Sequence, residues 1–194
     1  MSTGKMKWYV TLAMAICIAG PAVAQTIPEI AIDLDANTPE IDATRTVTPG
    51  VTYQGAVRLL FFPTVGANTG FTGYNLKLEA SPCGATGLCA AAAGPGSHLL
   101  DPAGGQDSSN AANCEIGRVL LSTVAIFQNA PGDVFTFDYC ASEDVTLSFL
   151  SDAPVYGMTT LGDVFLLQDG RVTVNTATIL TGGAVDTPTP TETP

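Results

Sequence analysis

The sequence has one histidine, one tryptophan and only seven lysine and arginine residues among its 194 residues. The histidine, His98, is therefore the single imidazole that could activate a serine or cysteine nucleophile. It lies in Gly94-Pro95-Gly96-Ser97-His98, which lacks the Gly-x-Ser-x-Gly elbow of serine hydrolases. We interpret His98 as a loop residue, and the sequence predicts no histidine-based catalytic site.

Long hydrophobic runs are also missing, apart from one short run near the N-terminus. Two lysines precede the mostly apolar segment Trp8–Gly20, and the small residues Ala22-Val23-Ala24 follow it. A basic start, an apolar run and small residues before a cleavage position are the three parts of a secretory signal peptide. The run is shorter than the roughly 20 residues that span a bilayer. We predict that residues 1–24 are a signal peptide and that the mature chain starts at Gln25; an N-terminal anchor is the alternative.

Positive charge is scarce throughout the predicted mature chain. All 18 acidic residues lie beyond residue 24, whereas two of the seven basic residues are lost with the signal peptide, which leaves five bases and a net charge of −13. Such a surface repels phosphate backbones and excludes nucleic acid as a partner. We expect a secreted, extracellular protein, free or attached to the cell surface, with no membrane span in the mature chain.

Cysteines are few but even in number after the signal peptide. Cys17 is lost with it, and Cys83, Cys89, Cys114 and Cys140 remain. Four cysteines in an oxidising compartment indicate two disulfides, for which three pairings exist. We expect Cys83–Cys89 to close a short glycine-containing loop and Cys114–Cys140 to tie a loop end to a strand. A zinc site is disfavoured because the sequence has no Cys-x-x-Cys pair.

No long amphipathic helix is present, because apolar residues recur with a period of two almost everywhere. The clearest alternation is Tyr74–Glu79, and Val119–Phe127 is apolar on both faces and is expected to be a central strand. The other predicted strands are Ile30–Leu34, Val51–Phe61, Val134–Cys140 and Val145–Leu150. This pattern predicts an all-β fold, an antiparallel β-sandwich or jelly roll of eight to nine strands.

Two features near the C-terminus complete the predicted domain. Asp169-Gly170 separates two β-rich runs within Val164–Val174, which predicts a hairpin with a type I′ turn. After Asp186 the chain alternates threonine and proline, which is typical of an extended spacer without a core. We therefore predict one β-sandwich domain over 25–185 and a Pro/Thr-rich linker over 186–194.

Residues 81–114 break the strand pattern. Alanine, glycine, serine, aspartate and asparagine dominate this stretch, and three of the four remaining cysteines lie in it. Long loops in compact domains are usually functional or disordered. We predict one long disulfide-tied loop here, with a single helical turn at Ala90–Ala93, and we expect this loop to be the contact surface for a partner.

Acidic residues suggest two further kinds of site. Asp33, Asp35 and Asn37 have the spacing of a calcium loop, to which Glu40 and Asp42 could contribute. However, Thr38 replaces the usual glycine at position six, and position 12 has no carboxylate. We predict no cofactor, with calcium at this segment as the alternative.

A carboxylate pair for glycoside hydrolysis is the second possibility. Asp101, Glu115 and Asp138 are candidates, although nothing in the sequence brings two of them together. Exposed aromatic rings that could stack on a sugar are also few. Trp8 is lost with the signal peptide, and most other aromatic residues occupy the apolar positions of an alternating strand. Tyr156 and Phe71 are the freer rings. We predict neither catalytic nor cofactor-binding residues.

Taken in order, several segments resemble the cohesin-type β-sandwich of bacterial scaffolding and surface proteins, within the broader carbohydrate-binding-like superfamily. These segments are Val47–Tyr53, Gly73–Leu78, Gly117–Phe127 with Gly132-Asp133, and Asp169–Val174, which resembles the family's closing strand. The likeness is one of pattern across most of residues 27–180. The four cysteines and the 81–114 insertion depart from the family.

The resemblance implies a non-catalytic binding module that engages a protein partner such as a dockerin, or a polysaccharide, at the cell surface. Because of the departures, no dockerin-contacting residue is carried over to this sequence. A secreted carboxylate-dependent glycoside hydrolase and a structural surface or stalk domain are the alternatives.

Overall fold

A computed structural model describes residues 27–63, 71–83, 88–96, 105–126, 132–160 and 163–182 of the chain. The predicted signal peptide, the Pro/Thr-rich linker, His98 and Asp101 lie outside the described residues and remain predictions. No helix in the described part of the chain is long and apolar enough to cross a membrane.

The described residues form twelve strands and one short 3₁₀ helix. The strands are β1 (Glu29–Asp33), β2 (Thr44–Val47), β3 (Tyr53–Phe61), β4 (Phe71–Ser81), β5 (Leu88–Pro95), β6 (Gln106–Asp107), β7 (Glu115–Ile126), β8 (Gly132–Ala141), β9 (Val145–Phe149), β10 (Gly157–Thr160), β11 (Val164–Leu166) and β12 (Ala177–Thr181); the 3₁₀ helix is Ala111–Asn113. The all-β prediction is confirmed, and the described strands are more numerous than the eight or nine predicted.

The strands form two sheets that pack as a sandwich. The first sheet has the order β1-β3-β8-β5 and is antiparallel throughout. In the second sheet β4 pairs with β7 along one side, and β6 lies beyond β7. Along its other side β4 pairs first with β10, followed by β11, and then with β9, followed by β12 and β2. The β12–β2 pair is parallel.

Alternating apolar residues from both sheets fill the core between them. Tyr74, Leu76 and Leu78 of β4 are buried, as predicted from the Tyr74–Glu79 alternation. From the first sheet, β8 contributes Phe135, Phe137 and Tyr139, all buried. The rings of Tyr74 and Phe135 stack across the interface with centroids 6.2 Å apart. Each such ring adds roughly 1.5–3 kcal/mol of hydrophobic stabilisation when fully buried, so this contact helps to hold the two sheets together.

The predicted C-terminal hairpin is wrong in its second half. A turn forms there, but it is not the predicted type I′ turn, which requires a positive φ at both Asp169 and Gly170. Gly170 has a φ of 65° and Asp169 has no positive φ, and the Gly170 N–H donates to the carbonyl of Leu167 at 3.0 Å. The chain does not then return along β11. Instead Val172 is buried in the core, and Thr173 pairs in parallel with Glu29 at the edge of the first sheet. Core burial and the open edge of β1 outweigh local hairpin pairing, and the closing strand is β12 rather than 169–174.

The 81–114 stretch is not one long loop. Residues 88–95 form β5, which pairs with β8 through its whole length, so the predicted helical turn at Ala90–Ala93 is wrong. Gln106 and Asp107 form β6 along the free edge of β7. The pairing satisfies backbone groups that a loop would leave to water. The sequence hid this strand because alanine has a weak β-propensity.

The predicted cysteine pairing is also wrong. Cys83 is bonded to Cys114, with the two Cα atoms 5.5 Å apart, and Cys140 is disulfide-bonded as well. The physical reason is the register of β4 and β7, which places Glu79 opposite Glu115. Cys83 follows β4 and Cys114 precedes β7, so both lie at the same end of this strand pair. The disulfide ties these two strands together.

Candidate functional site

The segment with calcium-loop spacing follows β1 and is organised around a buried carboxylate. Asp33 is fully buried, and its Oδ1 accepts the N–H groups of Asp35 and Asp42, each at 3.0 Å. Burial raises the pKa of Asp33, while these two hydrogen bonds and the nearby Arg58 act in the opposite direction. Asp33 therefore fastens both ends of the loop over residues 34–42, which we call the 34–42 loop.

Two arginines hold the acidic residues of this segment. Arg58 of β3 pairs with Asp33 at 2.8 Å, and Arg45 of β2 pairs with Asp35 at 3.0 Å. Within the residues that the structure describes, no group of three or more His, Cys, Asp or Glu side chains is placed to hold a metal ion. Two of the carboxylates that the sequence suggested as calcium ligands, Asp33 and Asp35, are thus paired with guanidinium groups, and Asp42 Oδ2 accepts a hydrogen bond from Thr38 at 2.8 Å. Sequence reasoning missed Arg58 because its contact with Asp33 depends on the pairing of β3 with β1.

The carboxylates suggested for hydrolysis do not come together. Glu115 lies on β7 of the second sheet, where its Oε2 is 2.8 Å from Lys77 Nζ, and this contact lowers the pKa of Glu115. Asp138 lies on β8 of the first sheet, where its Oδ1 accepts a hydrogen bond from Gln54 at 3.5 Å. Because the two residues belong to different sheets, they do not form an acid–base pair.

The second sheet has an apolar groove on its outer face beside β10. Its volume is about 300 Å³. Its floor and walls are Tyr74, Asn75, Val119, Pro154, Val155, Gly157, Thr159, Val164 and Leu166. Val155 is 57% exposed and Val164 is 46% exposed, although most large apolar side chains of the described residues are buried. We call this feature the β10 groove.

Close backbone approach shapes the β10 groove. A Cβ on Gly157 would lie 2.1 Å from the carbonyl oxygen of Phe165, so β10 and β11 can approach as they do only with glycine there. Similarly, a Cβ on Gly73 would lie 2.4 Å from the carbonyl oxygen of Leu120. Thr159 Oγ1 donates to the carbonyl of Gly73 at 3.2 Å and fixes β10 against β4. The groove is therefore part of the rigid sheet.

Two ion pairs lie near the β10 groove. On one side Lys77 pairs with Glu115, and beyond the other side Arg171 pairs with Asp163 at 2.6 Å. The Arg171 guanidinium lowers the pKa of Asp163, and it also donates to the carbonyl of Val164 at 2.6 Å. This last bond occupies a backbone acceptor on the outer edge of β11. A ligand in the groove would therefore meet mainly apolar surface rather than an open strand edge.

The rings suggested as sugar platforms do not mark a site. Tyr156 is half-buried and packs against the hydrophobic core. The side chain of Phe71 lies outside the described residues. Much of the predicted contact loop, residues 81–114, belongs to regular structure instead. β5 and β6 are strands of the two sheets, and Cys114 is buried.

Comparisons with known proteins address the fold. No family model matches the sequence, and no curated protein does. Solved structures do match, among them a chain of a type I cohesin–dockerin complex from Clostridium thermocellum, with 11% identity and a TM-score of 0.56 over 80% of this chain and 94% of that one. The third cohesin of ScaC from Acetivibrio cellulolyticus, in complex with the ScaB dockerin, is 12% identical, with a TM-score of 0.56, over 78% of this chain and 98% of that one. The fold is that of a cohesin-like β-sandwich.

A third match has the same fold in another setting. The cohesin module of a family 33 glycoside hydrolase from Clostridium perfringens is 8% identical, with a TM-score of 0.51, over 81% of this chain and 98% of that module. The resemblance predicted from the sequence is confirmed for the fold. At these identities, the fold alone is shared.

Sequence reasoning missed the β10 groove. Val155 follows Pro154 in a turn, outside any apolar run, and Val164 opens the apolar run Val164–Leu167, whose pattern indicates burial rather than exposure. The sequence signal that exists is indirect: an apolar residue in a turn, where nothing in the strand pattern requires one.

Proposed function

We propose that this protein is a secreted, non-catalytic binding module and that it recognises a protein partner through the β10 groove. The observation that carries the proposal is the exposure of Val155 and Val164 around an apolar groove on a rigid sheet. Apolar surface exposed in this way is typical of protein interaction sites, where burial against a partner removes it from water.

The partner that fits best is an amphipathic helix on a dockerin-like module. An apolar helix face docks well into a shallow groove, with side chains one turn apart as anchors. Two of the similar structures are cohesin–dockerin complexes, and one of those dockerins bears a substitution in its C-terminal helix. A polysaccharide fits less well, because the groove offers few polar groups and its one aromatic residue, Tyr74, is buried.

Two expectations accompany this function. The separation of Glu115 from Asp138 on different sheets supports the absence of glycoside hydrolysis.

Export is supported by the signal-peptide pattern of residues 1–24, and an intact mass that begins at Gln25 would agree with it. Retention of Met1 in a membrane fraction would favour an N-terminal anchor.

Matched valine substitutions test the binding face. We expect Val155→Asp and Val164→Asp each to weaken binding at least tenfold, because a charge in a buried apolar contact loses more than 1.4 kcal/mol. Val51→Asp and Val174→Asp are the controls, since these valines are 46% and 41% exposed but lie outside the groove. Binding is measured by calorimetry with the dockerin modules of the two complexes as probes.

The outcomes separate the face from the partner. Binding that is weakened only by the groove substitutions supports the β10 groove as the contact face and a dockerin as the partner. Binding weakened equally by the control substitutions contradicts the groove as the contact face. If neither dockerin binds while a cellulose slurry retains the protein, the proposed partner class is wrong and a glycan takes its place.

A further inference from the structure

Five oxygen atoms lie around the guanidinium of Arg58; three of them contact Nη2, one contacts Nη1 and one contacts Nε. Two are carboxylate oxygens, Asp33 Oδ2 at 2.8 Å and Asp133 Oδ1 at 3.1 Å. Three are backbone carbonyl oxygens of the 34–42 loop, which accept hydrogen bonds from the guanidinium. They belong to Ala36 at 3.3 Å, Thr38 at 2.6 Å and Glu40 at 3.3 Å. No single residue of the loop holds these carbonyls together; their common partner is Arg58.

This arrangement is chemically that of a hard-cation site. Calcium takes six to eight oxygen ligands from carboxylates, backbone carbonyls and water, in flexible geometry. Carbonyls from alternate residues of one loop, completed by a carboxylate before the loop and another from a different strand, provide five of these. Oxygen atoms that converge in this way repel one another unless a positive charge lies among them.

The positive charge comes from the scaffold and is largely enclosed. Arg58 extends from β3, and its side chain is 11% exposed, whereas that of Asp33 is 0% exposed. The pairing of β3 with β8 shifts register between Val57 and Arg58, which brings Arg58 opposite Asp133. The cation at this position, the Arg58 guanidinium, thus comes from β3 and not from the loop. Its position marks where the surrounding oxygen atoms need a positive charge.

We propose that the 34–42 loop is a cation cage in which the Arg58 guanidinium stands in the place of a calcium ion, and that the same oxygens bind Ca²⁺ once the guanidinium is removed. The natural protein therefore keeps this loop folded without calcium. The proposal is independent of the β10 groove, which lies on the other sheet.

Calcium titration of Arg58→Met in the full chain tests the cage. Methionine preserves much of the apolar stem of Arg58 but leaves Asp33 and the carbonyls without a cation. We expect Ca²⁺ at 100-fold above its Kd to raise the Tm of this variant by about 5–10 °C. Magnesium should have a smaller effect, since it demands closer octahedral ligation. The wild-type Tm should not respond to Ca²⁺ in comparison with a chelator.

Two matched variants separate a specific cage from general charge effects. Arg171→Met also removes an arginine paired with an aspartate, Asp163, but on an exposed site without converging carbonyls, and should show no calcium response. The double variant Arg58→Met with Asp33→Asn removes a ligand from the cage and should lose most of the response. The proposal is overturned if Arg58→Met responds no more than Arg171→Met, or if it stays unfolded in both calcium and chelator.

Discussion

The outer face of the first sheet is covered by the protein itself around Asp33, whereas the outer face of the second sheet is open beside β10. On the first, Asp33 and Ala56 face outward from adjacent strands and both are fully buried, and Asp33 is hydrogen-bonded to the backbone of the 34–42 loop. On the second, Val155 and Val164 remain 57% and 46% exposed above the β10 groove. The same sandwich thus carries an ion-paired, largely buried polar cluster on one side and an exposed apolar surface on the other.

This difference separates stability from binding. Buried charges on the first sheet depend on each other, so removal of one leaves its partner without compensation. Exposed valines on the second sheet add little to the folded state, because water already reaches them. Substitutions in the two regions should therefore have opposite signatures, with loss of stability for the first and loss of affinity for the second.

The largest expected effect is on the closed face. Arg58→Met should lower the free energy of unfolding by about 3–5 kcal/mol in chelator, because it leaves the carboxylate of Asp33 buried without its cation. Urea denaturation followed by circular dichroism measures this change. Arg171→Met is the control, and its effect should be small because both partners of that ion pair are substantially exposed. Equal losses for the two variants would show that the burial of Asp33 carries no special weight.

The next effect concerns the strands beneath the open face. The Cys83–Cys114 disulfide joins β4 and β7 across a sequence separation of 31 residues. Its removal by a double serine substitution should cost roughly 3–4 kcal/mol by the chain-entropy relation. Denaturation under matched oxidising conditions checks this value. A cost below about 1 kcal/mol would mean that strand pairing alone holds this end of the sheet.

Peptide mapping without reduction tests the disulfides directly. It should recover Cys83 linked to Cys114. The register of β5 with β8 also brings the backbone at residue 89 beside Cys140, from which we predict that Cys89 and Cys140 form the second link. Recovery of a Cys83–Cys89 peptide would contradict this pairing.

The smallest expected effect lies beside the β10 groove and depends on pH. Lys77 lowers the pKa of Glu115, so their interaction stabilises the fold above the ordinary glutamate pKa and is lost as pH falls through the lowered value. Lys77→Met should cost at most about 1 kcal/mol at pH 7 and almost nothing at pH 2. Thermal denaturation at the two pH values measures the difference. A cost that is independent of pH would indicate lost packing of the lysine stem instead.

The strands and the core were predictable because their signal is local. The alternation in Tyr74–Glu79 and the aligned aromatic rings of β8 required only a period of two to be recognised. Long-range features were not predictable. The Cys83–Cys114 bond, the Arg58 cage and the second half of the expected hairpin all depend on which strands lie side by side. That arrangement is decided by core packing, which a single sequence does not display.

The binding surface escaped prediction for a related reason. The 81–114 stretch attracted attention through its length and cysteines, yet its alanine-rich part is the edge strand β5. The β10 groove is assembled from four strands and one turn, each of which contributes only one or two side chains. A surface of this kind has no sequence pattern of its own, and it is visible only after the sheet has formed.

The most direct test of the account is the response of individual valine methyl groups to a bound partner. In a valine-methyl-labelled sample of the full chain, a dockerin module is titrated and methyl resonances are followed by nuclear magnetic resonance. We predict that the methyl signals of Val155 and Val164 shift in proportion to complex formation, while those of Val51 and Val174 stay in place. Shifts confined to Val51, Val174 or the valines of the first sheet would contradict the β10 groove as the binding face.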